Sequence, residues 1–339
     1  MRSFVVALDV GGTSMKGALV DQVGTVLHTE RRATPRAHGP EAVVKTIRAF
    51  ITHLTRLGDT LPATPARGVQ GGPNRPARSQ EQSGLVGVGL IVPGIVTSDT
   101  AVYAANLGWR DVPAADFTTL DVPVMLGHDV RTGGLAECVL GAGRGSPDFL
   151  FLPIGTGIAA AMIINGEPYG GATGWGGEVG HIPVLPTGEA CACGQIGCLE
   201  TYASAASVGR RYSIRAGRPD TRAEQVVSLA RAGDPIAVEV WNDAIEALSL
   251  GLASYTLLLD PILIVLGGGL AEAGPALTDP LRERLAKRLT FREAPPLRPA
   301  ALGVNAGMLG AALLGWQAAG HPDIGHTWTV NVPETPPVP

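Results

Sequence analysis

The stretch FVVALDVGGTSMKGALVD, residues 4–21, decides the fold of this chain. An apolar run, a carboxylate, a Gly-Gly-Thr turn and a second apolar run read as a strand, a tight turn and a returning strand. Gly24 turns the chain again, and residues 26–29 continue an antiparallel meander. At residue 149 the pattern restarts as FLFLPIGTGIAAAMII. A shift of 143 residues lays Gly12-Thr13 on Gly155-Thr156 and Ala18-Leu19-Val20 on Ala161-Met162-Ile163. Two openings of one kind predict a duplicated, β-rich α/β unit.

Between the two openings, Val43, Val44, Ile47, Phe50, Ile51 and Leu54 recur at helical spacing behind Pro40-Glu41 and predict a helix. A strand over 85–92, a Pro93-Gly94 turn, a strand over 122–126 and a helix over about 131–141 follow. In the second half the reading gives a strand over 158–164, a helix over 234–259, a strand over 262–266, a helix over 278–289 and an apolar helix over 307–319. Residues 58–83 are rich in Pro, Gly, Ser and Arg without periodicity and read as a mobile surface insert, and residues 320–339 as a peripheral Pro-rich tail. The expected organisation is a small N-terminal α/β domain, 1–127, completed by the helix over 307–319. A larger C-terminal α/β domain, 128–306, carries a metal-binding loop over 177–200.

A net charge of −4 leaves no electrostatic footprint for nucleic acid or an anionic membrane. The apolar run over 4–8 stops at Asp9 without a cleavage site, and the apolar stretch over 247–259 is too short to span a bilayer. A cytoplasmic protein is expected. Three of the four cysteines cluster, which suits a reducing compartment better than a disulfide framework. The fourth, Cys138, sits in a helical pattern and reads as a small buried hydrophobe.

That cluster belongs to GEVGH (177–181) and CACGQIGCLE (191–200). His181, Cys191, Cys193 and Cys198 supply one imidazole and three thiolates, a complete tetrahedral zinc shell with no position open for water. Glu178 and Glu200, at its edges, are not needed as ligands. The turn over 9–13, with Gly11, Gly12, Thr13 and the following Lys16, has the chemistry of a phosphate loop: glycines let backbone N–H groups approach an anion, and Asp9 suits a hydrated magnesium ion. The alternative is a structural hairpin turn, and neither the Walker nor the dinucleotide spacing is present. A second such turn, Gly155-Thr156-Gly157, supports the phosphate reading. Gly267-Gly268-Gly269 is either a tight strand–helix turn or room for a nucleotide's base or ribose. Asp129, between an apolar strand and a helix, is a helix cap or a general base, and Asn106 can be a simple turn residue.

Taken together these motifs resemble the ROK family of bacterial sugar kinases, within the sugar kinase/Hsp70/actin superfamily, and most of all its zinc-containing glucokinase branch. The resemblance covers nearly the whole chain apart from the insert and the tail. It rests on the segment from Leu152 through Asn165-Gly166-Glu167 and Gly170-Gly171-Ala172 to His181, and on the Cys-x-Cys-Gly-x-x-Gly-Cys-x-Glu run. It implies a two-domain, duplicated ribonuclease H-like fold with a cleft between the domains, ATP and magnesium as cofactors with structural zinc, and a homodimer or homotetramer. It further implies that the 9–13 and 155–157 turns hold phosphate and that Gly267, Gly268 and Gly269 border the adenosine. Asp129 falls at the catalytic base. Gly94, Asn106, Glu178, His181 and Glu200 fall at sugar-binding positions, with His181 serving zinc through one nitrogen and sugar through the other. The family usually carries Asn-Asp where this chain has His128-Asp129, so the sugar accepted is open here.

The expected reaction is ATP-dependent phosphorylation of the 6-hydroxyl of glucose. Its nearest rival is the same reaction on an N-acetylhexosamine or mannose. The family's sugar-responsive repressors, which add a DNA-binding domain ahead of the kinase-like part, are not expected, because the first turn begins at residue 9. A sensor without catalysis is disfavoured by the presence of Asp9, both Gly-Thr turns and Asp129.

Overall fold

Alternate residues of the first strand, β1 (Ser3–Val10), face two different helices. The computed structural model describes residues 2–61 and 84–329. The chain divides into two compact units, Met1–Thr132 with Gly307–Pro339, and Gly133–Ala306. In the first unit β1, β2 (Ser14–Asp21) and β3 (Val26–Ala33) form the meander. The helix α1 (Pro40–Thr60), β4 (Gly84–Val92), a small sheet of β5 (Ile95–Val96), β6 (Thr100–Ala104) and β7 (Trp109–Pro113), and β8 (Val124–His128) follow. The main sheet runs β3-β2-β1-β4-β8, with β4 parallel to both β1 and β8. Helix α2 (Asp129–Leu140) carries the chain into the second unit.

That unit holds β9 (Phe149–Pro153), β10 (Ala161–Ile164), β11 (Glu167–Tyr169), α3 (Leu199–Ala203), α4 (Ala205–Ala216), α5 (Ala223–Arg231), α6 (Pro235–Leu259), β12 (Leu263–Gly267), α7 (Pro275–Arg288) and β13 (Leu297–Pro299). Its sheet runs β11-β10-β9-β12-β13: an antiparallel meander, then two parallel strands. This repeats the first sheet strand for strand, as the matching openings at residues 4 and 149 led us to expect. Helix α8 (Ala306–Ala318) returns the chain to the first unit.

The packing of the first sheet follows the period of two of a strand. Phe4, Val6, Leu8 and Val10 of β1, with Val88, Leu90 and Val92 of β4, share a core with Val43, Ile47, Phe50, Ile51 and Leu54 of α1. Each such buried side chain contributes about 1.5–3 kcal/mol. On the opposite face β4 presents Gly87 and Gly89 to α8. A Cβ on Gly89 would stand 1.7 Å from the Ala311 carbonyl oxygen, and one on Gly87 2.4 Å from that of Gly315. Helix α8 therefore lies backbone to backbone on the sheet, which explains why it is apolar all round. In the second unit α6, capped by the Asp234 carboxylate accepting the Ala237 N–H at 2.9 Å, buries Val240, Ala244, Ile245, Leu248 and Leu252 against Leu150, Leu152, Ile264 and Leu266 of the sheet.

Several boundaries differ from the sequence reading, among them β8, which lies two residues later than expected. Helix α1 continues through Thr60, because Gly58 packs beneath Phe4, so the insert begins later than 58; residues 62–83 lie outside the described residues. Helix α2 starts at Asp129 itself, and α7 starts at Pro275. The return strand begins at Ala161 rather than 158, because the N–H groups of Ile158 and Ala160 bond to Glu200 and to the Gly177 carbonyl instead of to a strand. The segment after 320 is also anchored as far as Trp328. That side chain is 2% exposed, sits on Gly24 and donates its indole N–H to the Gln22 carbonyl at 3.1 Å. Residues 330–339 lie outside the described part.

The Gly89→Ala variant is expected to lose about 3 kcal/mol by forcing α8 off the sheet. Thermal unfolding reads this directly; an unchanged midpoint would contradict the backbone-on-backbone packing.

Candidate active site

The first unit brings its charged groups together by register. Asp9 stands opposite Lys16 across β1 and β2, and Lys16 stands opposite Arg31 across β2 and β3, so the three form one row across the sheet. Burial pushes the Asp9 carboxyl above its ordinary value, Lys16 and Arg31 pull it down, and the charge of Asp129 raises it. Asp9 and Asp129 are thus near enough to feel one another, with two cations beside them. That is a donor set suited to a hydrated divalent cation, which takes one or two carboxylates and keeps its waters. The turn between β1 and β2 is held by the Gly11 N–H bonded to the Ser14 carbonyl at 2.9 Å and by the Thr34 hydroxyl bonded to the Gly11 carbonyl at 2.7 Å.

Asp129 opens α2 directly after β8. Its side chain is half exposed, and its Oδ1 accepts the N–H of Val130 at 2.8 Å. It satisfies only the adjacent N–H, which leaves the second carboxylate oxygen for other work. His128 is a different case. Its side chain is 10% exposed, and its Nδ1 lies 3.2 Å from Asp129 Oδ1 and accepts the Arg131 N–H at 3.4 Å. Burial lowers its pKa, Asp129 raises it and Arg131 lowers it again, with a net fall. Desolvation thus favours the neutral ring, whose Nδ1 is occupied by these two neighbours. Gly94 has φ of 95°, and a Cβ there would meet the Tyr103 carbonyl at 2.2 Å, so only glycine fits between β4 and β5. Asn106 lies in a single 3-10 turn, Ala105–Leu107, with its Cβ 4.0 Å from where a Cβ on Gly12 would be.

In the second unit the four metal-site residues meet. His181, Cys191, Cys193 and Cys198 place one ligand atom each within 4.8 Å of all the others. His181 Nδ1 is 3.8 Å from Cys191 Sγ, and the Sγ atoms of Cys193 and Cys198 are 3.7 Å apart. A tetrahedron with Zn–S near 2.3 Å and Zn–N near 2.0 Å has edges of about 3.5–3.8 Å, so these two pairs have the spacing of a zinc shell and the four donors are compatible with one. Burial and the two neighbouring sulfurs push the Cys198 thiol up to about 12; three thiolates together there call for a cation. Gly194 and Gly197, at φ of 94° and 76°, allow the tight chelating turn. With Nδ1 on the metal side, Nε2 is the nitrogen of His181 left to face elsewhere.

Glu200 follows the ligand Cys198 by two residues, in the first turn of α3. Its Oε2 accepts the Ile158 N–H at 2.7 Å, and a Cβ on Gly157 would stand 2.7 Å from that same oxygen. The carboxylate is therefore seated against the Gly155-Thr156-Gly157 turn, a link the sequence did not suggest. Glu178 begins the 3-10 turn Val179–His181, and Gly177 and Gly180 on either side press on the carbonyls of Ala160 and Ile158. The third turn is bound to the second. The Ile154 N–H donates to the Gly267 carbonyl at 2.8 Å, the Leu270 N–H donates to the Ile154 carbonyl at 3.1 Å, and Gly268, at φ of 74°, leaves no room for a Cβ over Ile154. Beside Gly269 opens a cavity of about 270 Å³, bordered by Ala205, Val227 and Leu270 and by the polar Glu224, Ser228 and Glu272. Sequence reasoning missed this contribution of α5. The one available signal was the short amphipathic run over 223–231, which carries no motif.

A model of the ROK family matches residues 5–64 and 76–318. The chain belongs to the ROK family. Among its relatives, the glucokinase of Halalkalibacterium halodurans is 33% identical over 92% of this chain and 93% of that protein. The N-acetylgalactosamine kinase AgaK of Shewanella sp. (strain ANA-3) is 33% identical over 91% and 95%. Of solved structures, the ROK hexokinase from Thermus thermophilus superposes with a TM-score of 0.76 at 32% identity, covering 93% of this chain and 98% of that one. The two-sheet α/β architecture is thus the actin-like fold of ROK sugar kinases. No helix among the described residues is long and apolar enough to cross a membrane.

Elemental analysis of the purified protein is expected to find one zinc per chain. Cys193 is exposed, so Cys193→Ser removes a ligand without disturbing packing; it should lose the metal and lower the thermal midpoint. Full zinc content in that variant would exclude the four-ligand assignment.

Proposed function

We propose that this ROK-family sugar kinase transfers the γ-phosphoryl group of ATP to the 6-hydroxyl of glucose, with Asp129 as general base. The observation that carries the reading is the position of Asp129. It sits at the head of α2, half exposed, with one carboxylate oxygen tied to Val130 and its charge felt at Asp9 beside the Gly11-Gly12-Thr13 turn. A base must stand within reach of a hydroxyl proton and close to where the phosphoryl group arrives.

In the first unit Asp129 accepts the proton of the sugar hydroxyl and aims its oxygen at the γ-phosphorus. Asn106 and the backbone at Gly94 orient the sugar. The 9–13 turn offers backbone N–H groups and the Thr13 hydroxyl to phosphate oxygens, and Lys16 adds charge. Asp9 would hold magnesium through water, where the ion neutralises charge on the phosphates. In the second unit Glu178, Glu200 and Nε2 of His181 offer hydrogen-bond partners to sugar hydroxyls. The Gly155-Thr156-Gly157 turn offers N–H groups to phosphate. The cavity beside Gly269 is half apolar and half polar, as a nucleoside site should be. Zinc held by His181, Cys191, Cys193 and Cys198 would be closed to substrate. Its part is to fix the start of α3, and through it Glu200.

For Asp129→Asn we expect kcat to fall about 10²–10⁴-fold while the sugar dissociation constant stays within a few-fold. Turnover near that of the unaltered enzyme would remove Asp129 from the role.

His128 favours a second reading, in which the preferred sugar is an N-acetylhexosamine or mannose. Its Nδ1 is occupied by the Arg131 N–H and the Asp129 carboxylate, so the ring offers a sugar only Nε2, where an asparagine offers both a donor and an acceptor. A panel of hexoses compared by kcat/KM, run on the unaltered enzyme and on His128→Asn, separates the two. Glucose should lead the panel, and His128→Asn should shift the ranking by about tenfold or less, the scale of one hydrogen bond. An N-acetylhexosamine in the lead would replace glucose as the substrate.

A further inference from the structure

The segment that leaves β3 is built onto the first Gly-Gly-Thr turn. Thr34 is buried; its N–H donates to the Thr13 carbonyl at 3.0 Å and its hydroxyl to the Gly11 carbonyl at 2.7 Å. The Thr34 carbonyl in turn accepts the Arg36 N–H at 2.8 Å. Turn and segment therefore form one hydrogen-bonded piece, and that piece fixes where Arg36 stands. A Cβ on Gly12 would lie 3.8 Å from Arg36 Nη1 and 4.0 Å from Asn106 Cβ. The bare face of Gly12 thus looks out between a guanidinium and a side-chain amide.

The other cations near the turn are already engaged. Lys16 and Arg31 both act on Asp9, and Arg31 Nη2 also donates to Ser14 Oγ at 2.9 Å. Arg32 is paired with Glu30 at 2.8 Å. Among the described residues the Arg36 side chain makes no hydrogen bond or ion pair, and it is exposed. A phosphate loop bordered by an uncommitted arginine, on the side where Asn106 stands, is equipped for an anion that arrives on the sugar.

We propose that Arg36 binds the phosphoryl group once it has reached the sugar, so that its ligand is a hexose 6-phosphate. This rests on reading Asp129 as the base, Asn106 as a sugar contact and the 9–13 turn as a phosphate loop. In that reaction the hydroxyl proton passes to Asp129, the bond from O6 to phosphorus forms, and the bond from phosphorus to the ADP oxygen breaks. The product monoester carries close to two negative charges at neutral pH, which a guanidinium meets with two parallel hydrogen bonds. Arg36 is in the same unit as the base and Asn106, on the sugar side of the turn, and so distinguishes the phosphorylated sugar from the free one. Its consequence for turnover is retention of product, seen as inhibition by the sugar phosphate.

The test is calorimetric titration of the full chain with glucose and with glucose 6-phosphate, for the unaltered protein, Arg36→Ala and Arg36→Lys, together with initial rates against ATP. Arg36→Ala should weaken glucose 6-phosphate binding about tenfold or more, the scale of a charge-assisted hydrogen bond. Glucose binding and the KM for ATP should stay within twofold, and Arg36→Lys should recover part of the loss. Equal affinity of the unaltered protein and Arg36→Ala for glucose 6-phosphate overturns the proposal. So does a rise in the KM for ATP without a change in sugar-phosphate binding, which would assign Arg36 to the nucleotide. Absence of sugar-dependent ADP release by the unaltered enzyme across the hexose panel is a separate result, because it removes the kinase reading itself.

Discussion

The hydrogen bond from the Ile158 N–H to Glu200 Oε2 organises the second unit. It takes an N–H that would otherwise extend β10 and gives it to a carboxylate two residues beyond Cys198. The Gly155-Thr156-Gly157 turn, the cysteine loop and the head of α3 thereby become one rigid piece, and Gly157 must be glycine because the carboxylate occupies the place of its Cβ. Zinc held there would act through geometry: it would fix Cys198, Cys198 the helix start, and the helix start Glu200. The cost of ordering a glycine-rich, helix-poor loop is one that a metal can offset where a small apolar core cannot.

Much of this was legible in the sequence, and for physical reasons. The two meanders showed because apolar runs bounded by glycine turns have a period and a length that few other structures share. The cluster of His181, Cys191, Cys193 and Cys198 showed because one imidazole and three thiols fall within eighteen residues, His181 to Cys198. The strand order itself comes from the structure, which repeats it in both sheets, and the family match confirmed the class. The elements that stayed hidden are those whose identity depends on distant partners. The β5–β7 sheet is short and partly exposed, and its pattern is weak. The shortening of β10 is set by Glu200, forty residues away. The cavity beside Gly269 is bordered by α5, which carries no motif and is recognised only by where it packs.

The same distinction separates His128 from Asp129. The sequence placed both at the end of one strand, and chemistry alone made the carboxylate the candidate base. The structure adds what each side chain already does. Asp129 keeps an oxygen uncommitted, whereas His128 is buried, held neutral by desolvation and engaged by the Arg131 N–H. A substitution that looks like an exchange of one polar residue for another therefore changes the number of hydrogen bonds on offer.

Trp328, seated on Gly24 and bonded to Gln22, has a consequence for how the protein is made. Together with α8 on Gly87 and Gly89, it means that the first unit lacks one face of its sheet until the last helix has been synthesised. At about 5–20 residues per second, the ribosome takes roughly ten seconds or longer to pass through the second unit. During that time β1 and β4 have emerged with their glycine face bare, while Gly133–Ala306 can already close its own core. A nascent chain halted before residue 306 would hold the α1 face of that sheet covered, by residues 4–126, and the other face bare of α8.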